Sequence, residues 1–324
     1  MAGKPGSQGG PRRHEPRSGE ENVSSQEFES LFASLSRWGW WGEGDERGAL
    51  RLITPARVVA AATLVREGVT VSLSLPLNTH AAAHCPNPAD HHMTSLGAGP
   101  GAVHFNMDYV GLDYHHDGHS HIDALCHVGY NGSLYNGRRE GDVVTDRGAR
   151  VSTIEVLKDG LVGRGVLLDI PRLRSRDWLE PGEHIVRDDL EAAELAQGVR
   201  VGEGDILLVR TGHAQRLAEL GPWDTATAKA GMHPSAMPFL ADRGVAALGS
   251  DGNNDTAPSR TEGVDFPIHV LAITAMGIHL MDYLQFEDLR AVCETTGRWE
   301  FLLVAAPLLI VGGTGSPLNP IAIF

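Results

Sequence analysis

Histidine and aspartate side chains crowd into one short segment, residues 114–127, which reads YHHDGHSHIDALCH. His119, His121 and Asp123 are separated by one residue each. Because alternate side chains of an extended strand share a face, this spacing predicts two imidazoles and one carboxylate converging from a single strand. Nitrogen and oxygen ligands of this kind suit zinc, manganese or iron, so the segment predicts a metal site. The alternative interpretation is a polar loop held by hydrogen bonds.

Two further groups could belong to the same site. His127 lies four residues after Asp123, an offset that favours a position beside the metal and a role in proton transfer. Far downstream, Pro267 cannot stand inside an ordinary helix, so His269 is expected to begin a new element. His269 and Asp282 could complete the site or bind a second ion, although a buried, hydrogen-bonded histidine explains the same residues.

The elements that must position these residues follow from apolar patterns along the chain. An alternating run predicts a half-buried strand, and continuous runs predict buried strands. The predicted strands are residues 69–77, 165–170, 205–209, 245–248 and 301–305. Helical patterns occupy residues 152–157, 187–196, 235–243 and 286–295. Because strands and helices intermix without strict alternation, the pattern predicts an α/β fold with a mixed sheet and flanking helices.

The domain organisation is read from composition. Residues 1–27 are dominated by Gly, Pro, Ser and charge, which predicts a disordered tail. No linker divides the remainder, so residues 28–324 are predicted to form one catalytic domain. His91 and His92 lie in a loop flanked by proline and glycine, where they could cover a substrate pocket. A plain surface loop is the alternative.

Composition also limits the partners. The formal net charge of −14 repels phosphate backbones, so a nucleic-acid partner is not expected. No apolar run approaches the roughly 20 residues that a membrane-spanning helix needs. The three cysteines form no CxxC pair, which fits a reducing compartment. A cytoplasmic enzyme acting on a small molecule, with no nucleic-acid or membrane partner, is the resulting expectation.

The central segment resembles the signature H-x-G-T-H-x-D-x-P-x-H of the putative cyclase family, which includes kynurenine formamidases and isatin hydrolases. Residues 120–127, SHIDALCH, match its second half, with Ser in place of Thr and Leu in place of Pro. Segments such as WGEGDERG at 41–48, YNGR at 135–138 and GDILLVRTG at 204–212 are similar to those of the longer members, as is GGTGSPLNP at 312–320. The resemblance implies a swivelling β/β/α-type fold and a homodimer or homotetramer.

The resemblance also implies roles for individual residues. His121 and Asp123 match metal ligands, with Asp123 able to bridge two ions, and His127 matches the catalytic histidine. His269 matches the later metal-binding histidine, and Asp282 falls near a later glutamate ligand. The signature's first histidine aligns with Asp117. Because longer members carry histidines where His115 and His119 stand, the third ligand is predicted to be one of these two, with Asp117 as the remaining alternative.

These residues together predict a metal-dependent hydrolase with one or two divalent ions, Zn or Mn. Water activated by the metal would attack a small amide, imide, formamide or lactone, with His127 as general acid and base. One alternative is a metal-assisted cyclase or lyase acting on a polyketide-like molecule. Another is a binding protein that kept the fold and lost activity, against which the joint presence of His121, Asp123, His127 and His269 argues.

Overall fold

The computed structural model describes residues 22–97, 101 and 103–324. Its strands, in chain order, are β1 Thr70–Ser72, β2 Asp90–Ser95, β3 Met107–Gly111, β4 His121–Asp123, β5 Val144–Thr145, β6 Gly148–Ala149, β7 Leu161–Asp169, β8 His184–Ile185, β9 Ile206–Arg210, β10 Gly231–Met232, β11 Ala247–Ser250, β12 His279–Asp282, β13 Glu300–Ala305, β14 Gly315–Pro317 and β15 Ile321–Ile323.

The α-helices are α1 Ser25–Leu35, α2 Pro55–Ala62, α3 Glu140–Val143, α4 Ile170–Leu173, α5 Arg187–Gln197, α6 His213–Leu220, α7 Met237–Arg243, α8 Pro267–His269 and α9 Glu287–Thr296. Short 3₁₀ turns lie at Gly48–Leu52, Tyr135–Gly137, Ile154–Leu157 and Pro234–Ala236. A π-helical segment, Val270–Ala275, continues directly from α8. In the described part of the chain, no helix is both long and apolar enough to span a bilayer.

The main sheet is mixed, as the sequence predicts. Its strand order is β1-β15-β13-β7-β9-β11-β12-β4-β14. Strands β7, β9, β11 and β12 pair in parallel, whereas β4 is antiparallel to both β12 and β14. Because β4 is inserted between two strands that come late in the sequence, its three residues are enclosed on both sides by backbone ladders.

Both faces of the central sheet are buried. Leu168, Val209 and Leu280 pack into one apolar core, while Leu167 and Leu208 pack into a second core on the opposite face. A strand covered on both faces is apolar at consecutive positions, which is why the runs GVLLDI and DILLV indicated buried strands. The predicted strands at 165–170, 205–209, 245–248 and 301–305 all overlap strands of this sheet.

Two predicted elements are shorter than expected. The alternating run at 69–77 contributes only β1, because after Ser72 the backbone leaves β15 and bridges to Leu284 at Ser74. The predicted helix at 152–157 is a single 3₁₀ turn, Ile154–Leu157. The other three predicted helices correspond to α5, α7 and α9.

The predicted disordered tail extends too far at its C-terminal end. Helix α1 begins at Ser25, and Ser24 and Glu27 form a reciprocal capping box that satisfies its first backbone donors. Val23 pairs through its backbone with the segment at residues 260–262. Residues 22–27 are therefore ordered, and the part of the tail prediction covering residues 1–21 lies outside the described residues.

Candidate metal centre

Strand β4 presents His121 and Asp123 on one face and Ile122, in the second apolar core, on the other. The Nδ1–H of His121 donates to the carbonyl oxygen of His119 at 2.8 Å. This bond fixes the ring, so that its other nitrogen, Nε2, lies 3.6 Å from Oδ1 of Asp123. A ligating histidine is commonly oriented in this way by a bond from its second nitrogen.

The carboxylate of Asp123 is surrounded by imidazoles. Its Oδ1 lies 2.9 Å from Nδ1 of His115 and 3.9 Å from Nε2 of His127, and its Oδ2 lies 3.6 Å from Nε2 of His269. Asp123 is fully buried, and no backbone N–H or hydroxyl of the described residues donates a hydrogen bond to either oxygen. Burial alone would raise the pKa of Asp123, but the nearby rings of His127, His115 and His121 hold it well below its usual range.

His269 reaches this carboxylate from α8, immediately before the π-helical segment. Pro267 is the first residue of α8, as expected from its inability to stand inside a helix. Nδ1 of His269 lies 2.5 Å from Oδ2 of Asp255, and its Nε2 lies 3.2 Å from Oδ2 of Asp282. Burial would lower the pKa of His269, but the carboxylates of Asp282 and Asp255 raise it well above its ordinary value.

Asp282 is brought to the site by strand pairing. In the antiparallel register of β12 and β4, Asp282 lies directly opposite His121. The side-chain amides of Asn253 and Asn254 donate to its two carboxylate oxygens at 2.8 and 2.5 Å. These bonds hold the Asp282 carboxylate in a fixed orientation while it is buried.

The ligand atoms therefore form two groups that share Asp123. The inner group consists of His121, Asp123 and Asp282, all buried. The outer group consists of His115, Asp123 and His127. A fully buried carboxylate costs free energy unless its negative charge is compensated. A divalent cation would compensate it, and the carboxylate oxygens and imidazole nitrogens present are ligand atoms of the kind that zinc binds. The side chains present thus fit one divalent ion in either group, or two ions bridged by Asp123.

The outer group is more accessible than the inner group. The side chains of His115 and His127 are 21% and 28% exposed, whereas that of Asp282 is 1% exposed. The two rings stack with centroids 3.9 Å apart and an interplanar angle of 4°. Nε2 of His115 lies 3.1 Å from the hydroxyl of Thr314. Burial lowers the pKa of His127 to about 4, although the carboxylate of Asp123 opposes this shift.

Two candidates for the third ligand point elsewhere. Strand β4 begins at His121 and the chain turns at Gly118, where φ is +90°, so His119 lies between the turn and the strand. Nε2 of His119 bonds instead to the carbonyl oxygen of Asn87 at 2.9 Å. The carboxylate of Asp117 accepts hydrogen bonds from the hydroxyls of Thr225 and Tyr283. The convergence of His119 with His121 and Asp123 is therefore wrong, and of the three candidates the structure brings only His115 to Asp123.

His91 and His92 lie on the exposed hairpin formed by β2 and β3. Their rings contact the neighbouring carboxylates of Asp108, at 3.0 Å, and Asp90, at 3.1 Å. Within the described residues, neither ring contacts a side chain of the inner or outer group. That they line a substrate pocket stays a prediction.

Asp255, Asn253, Asn254 and Thr314 are residues of the site that the sequence interpretation missed. Three of them belong to the polar run SDGNND at residues 250–255, directly after the apolar residues of β11. A dense polar run at the end of a buried strand is a signal that could have identified them, because polar residues there need partners. Thr314 offers no such signal, since it comes from a glycine-rich turn.

The chain is similar to several known proteins. The model of a family described as putative cyclase matches residues 71–254. A crystal structure described as a novel cyclase is 33% identical and has a TM-score of 0.82, covering 90% of this chain and 99% of that one. No curated protein matches the chain.

Isatin hydrolases share the fold at lower identity. Isatin hydrolase A from Labrenzia aggregata is 21% identical with a TM-score of 0.57, and the match covers 82% of this chain and 97% of that one. Isatin hydrolase A from Ralstonia solanacearum has the same identity and TM-score, with 83% and 97% covered. Since the family model spans more than half of the chain and a one-third-identical structure spans nearly all of it, this protein belongs to the putative cyclase family.

Proposed function

We propose that this protein is a metal-dependent hydrolase that opens or cleaves a small amide, imide, formamide or lactone. The observation that carries the proposal is the Asp123 carboxylate, which is fully buried, has four imidazoles around it and accepts no hydrogen bond from a backbone N–H or hydroxyl of the described residues. His121, Asp123 and Asp282 would hold one divalent ion, supported by His269. His115 and His127 lie where a second ion would bind or where substrate would arrive.

A divalent ion held there would lower the pKa of water and polarise the substrate carbonyl. The protein's own contribution is to move protons and to keep the ligands in place. His127 is neutral near pH 7 because burial lowers its pKa, so one ring nitrogen can accept a proton from water. It would return that proton to the leaving nitrogen or oxygen. The stacked ring of His115 restricts the orientation of His127 during both transfers.

Hydrolases are among the solved structures that share the fold of this protein. Isatin hydrolases share the fold, and one of them is described as bound to the product analogue thioisatinate, with 20% identity and a TM-score of 0.55. At this identity the similarity establishes the fold alone. The bond cleaved by the present protein is therefore argued from its own carboxylate and imidazole groups.

The test combines metal analysis with a substrate panel. Full-length protein is purified without chelator, its zinc and manganese are quantified, and it is assayed with isatin, N-formylkynurenine, cyclic imides and lactones. We expect about one or two divalent ions per chain and hydrolysis of at least one compound, abolished by chelation and restored by Zn²⁺ or Mn²⁺. Absence of bound metal would favour a binding protein. Bound metal without any hydrolysis would favour a cyclase or lyase.

We also propose that the assembly is a homodimer or homotetramer, as the resemblance implies. Light scattering coupled to size-exclusion chromatography measures this directly. A mass matching one chain of 34.7 kDa would contradict the proposal.

A further inference from the structure

Lys229 is a buried lysine in a chain that has only three lysines. It is 3% exposed and lies just before β10. Its backbone is fixed, because its N–H donates to the carbonyl oxygen of Ala257 and its own carbonyl accepts from the N–H of Ala257, both at 3.0 Å. Lys158, by contrast, is exposed, and Lys4 lies outside the described residues. Lysine is rarely buried unless its charge has a partner.

The Lys229 ammonium has hydrogen-bond donors left over. Its nearest carboxylate oxygen, Oδ1 of Asp117, is 3.8 Å away, which is beyond hydrogen-bonding distance. That oxygen accepts from the hydroxyl of Tyr283, and Oδ2 accepts from the hydroxyl of Thr225 at 2.5 Å. Nζ also lies 5.6 Å from the centre of the Phe266 ring. Among the described residues, therefore, none of the three ammonium donors is used in a hydrogen bond.

A series of contacts connects this ammonium with the metal centre. The Phe266 ring that it faces is 5.8 Å from the ring of His269, centroid to centroid. Tyr283 follows Asp282 directly in sequence, and its ring centroid lies 6.5 Å from that of His121. Phe266 is 49% exposed, so one surface of its ring is available to a ligand. A small molecule lying against the exposed part of the Phe266 ring would be close to both His269 and Lys229.

We propose that Lys229 determines substrate specificity by donating a hydrogen bond to a second carbonyl oxygen of the substrate. This rests on the proposed function, in which the first carbonyl is the one attacked at the metal centre. The carboxylate of Asp117 offsets the charge of the ammonium, so the pair favours an uncharged oxygen over a carboxylate. The aromatic face of Phe266 suits a flat ring. The substrate class is a cyclic compound with two carbonyl groups, an imide or a dione.

The experiment compares two lactams that differ by one carbonyl, isatin and oxindole. Both are titrated into full-length, metal-loaded H127A protein, so that isatin is not consumed during the measurement. We expect isatin to bind about 10-fold or more tightly than oxindole, because a bond from a charged donor contributes to isatin alone. In H127A/K229M the two ligands should bind equally, and in H127A/K158M the preference for isatin should remain. Equal binding by H127A itself, failure of both ligands to bind, or a preference that survives K229M would overturn the proposal.

A second measurement keeps Lys229 intact, in case K229M fails to fold. In protein labelled with ¹³C-lysine, the methylene signal next to Nζ of Lys229 should shift with isatin and not with oxindole, while the signal of Lys158 stays constant. No shift with isatin contradicts the proposal. If other compounds of the panel were hydrolysed and K229M did not change their turnover, the proposal for Lys229 would be wrong while the hydrolase proposal would stand. An isatin preference without any turnover would overturn the hydrolase proposal alone.

Discussion

The two ligand groups that share Asp123 lie in different environments. Around the inner group the side chains are buried, and Asp255, Asn253 and Asn254 fix the orientation of His269 and Asp282. Around the outer group, His115 and His127 are partly exposed and have a ring stack and the hydroxyl of Thr314 as support. We therefore propose a division of labour, in which the inner group would hold the metal firmly and the outer group would meet water and substrate.

The largest expected effect comes from the residue common to both groups. In D123N the shared anionic ligand is lost, so we expect the bound metal to fall below about a tenth of the wild-type content and hydrolysis to disappear. Metal content is measured by inductively coupled plasma mass spectrometry. The control is D108N, which removes a carboxylate on the exposed hairpin. If D123N bound as much metal as the wild type, metal binding would not depend on Asp123 and the expectation would be wrong.

The outer group is tested next by H127A. If His127 transfers protons, turnover should fall by about 10²–10⁴-fold while the metal content stays near that of the wild type. H116A, which changes an exposed histidine paired with Asp113, is the control. Loss of metal together with activity would instead identify His127 as a metal ligand. It would contradict the proposal that the inner group binds the metal and the outer group acts on the substrate.

A buried histidine that has no carboxylate partner among the described residues provides a pH-dependent comparison. Burial lowers the pKa of His184 to about 3, and the nearby His233 adds to the shift. The unfolded chain, with a histidine pKa near 6.5, therefore takes up a proton first as the pH falls, and stability is lost from pH 6.5 downwards towards 3. Between pH 6.5 and 4.5, wild-type protein should lose about 2 kcal/mol of unfolding free energy relative to H184Q.

Urea denaturation at several pH values measures this difference. H116Q serves as the control because His116 is exposed, so its pH dependence should follow the wild type. Parallel curves for the wild type and H184Q would contradict the expectation. His269 should behave in the opposite way in metal-free protein: its pKa is raised, so its contribution is present at low pH and is lost as the pH rises.

The smaller effects compare the supports of the two groups directly. D255N removes the carboxylate that orients His269, and we expect metal affinity to fall about 10–100-fold. T314V removes only the hydroxyl beside His115 while keeping the shape of the side chain, so its effect should be a few-fold, as for one ordinary hydrogen bond. Competition with a chromophoric chelator measures both affinities. If T314V lowered the metal affinity as much as D255N, the inner group would not depend on its supporting residues more than the outer group does.

The sequence predicted the local part of this site well and the assembled part less well. His121 and Asp123 could be paired because a strand period of two applies within three residues. His119 could not be placed in this way, since it lies outside β4, between the turn at Gly118 and the first strand residue, His121. Asp255 was missed because its role arises from a contact with a helix that begins at residue 267, and no local pattern encodes such a distance.

The same limit applies to the fold. Continuous apolar runs revealed β7 and β9 because burial on both faces leaves a mark on every residue. Strand β4 carries polar residues at two of its three positions, so a search for apolar runs could not predict its place in the sheet. The neighbours of β4, namely β12 and β14, follow from tertiary pairing alone.

The insertion of β4 between β12 and β14 has a consequence for the newly synthesised chain. The two strands that pair with β4 end at residues 282 and 317. When translation has reached residue 130, the candidate metal ligands of β4 are present, but neither of its partner strands has been synthesised. Pairings this distant in sequence form slowly, because the intervening segment must first be closed into a loop. We therefore expect ion capture to be a late event in the maturation of this protein, after residue 317 has been translated.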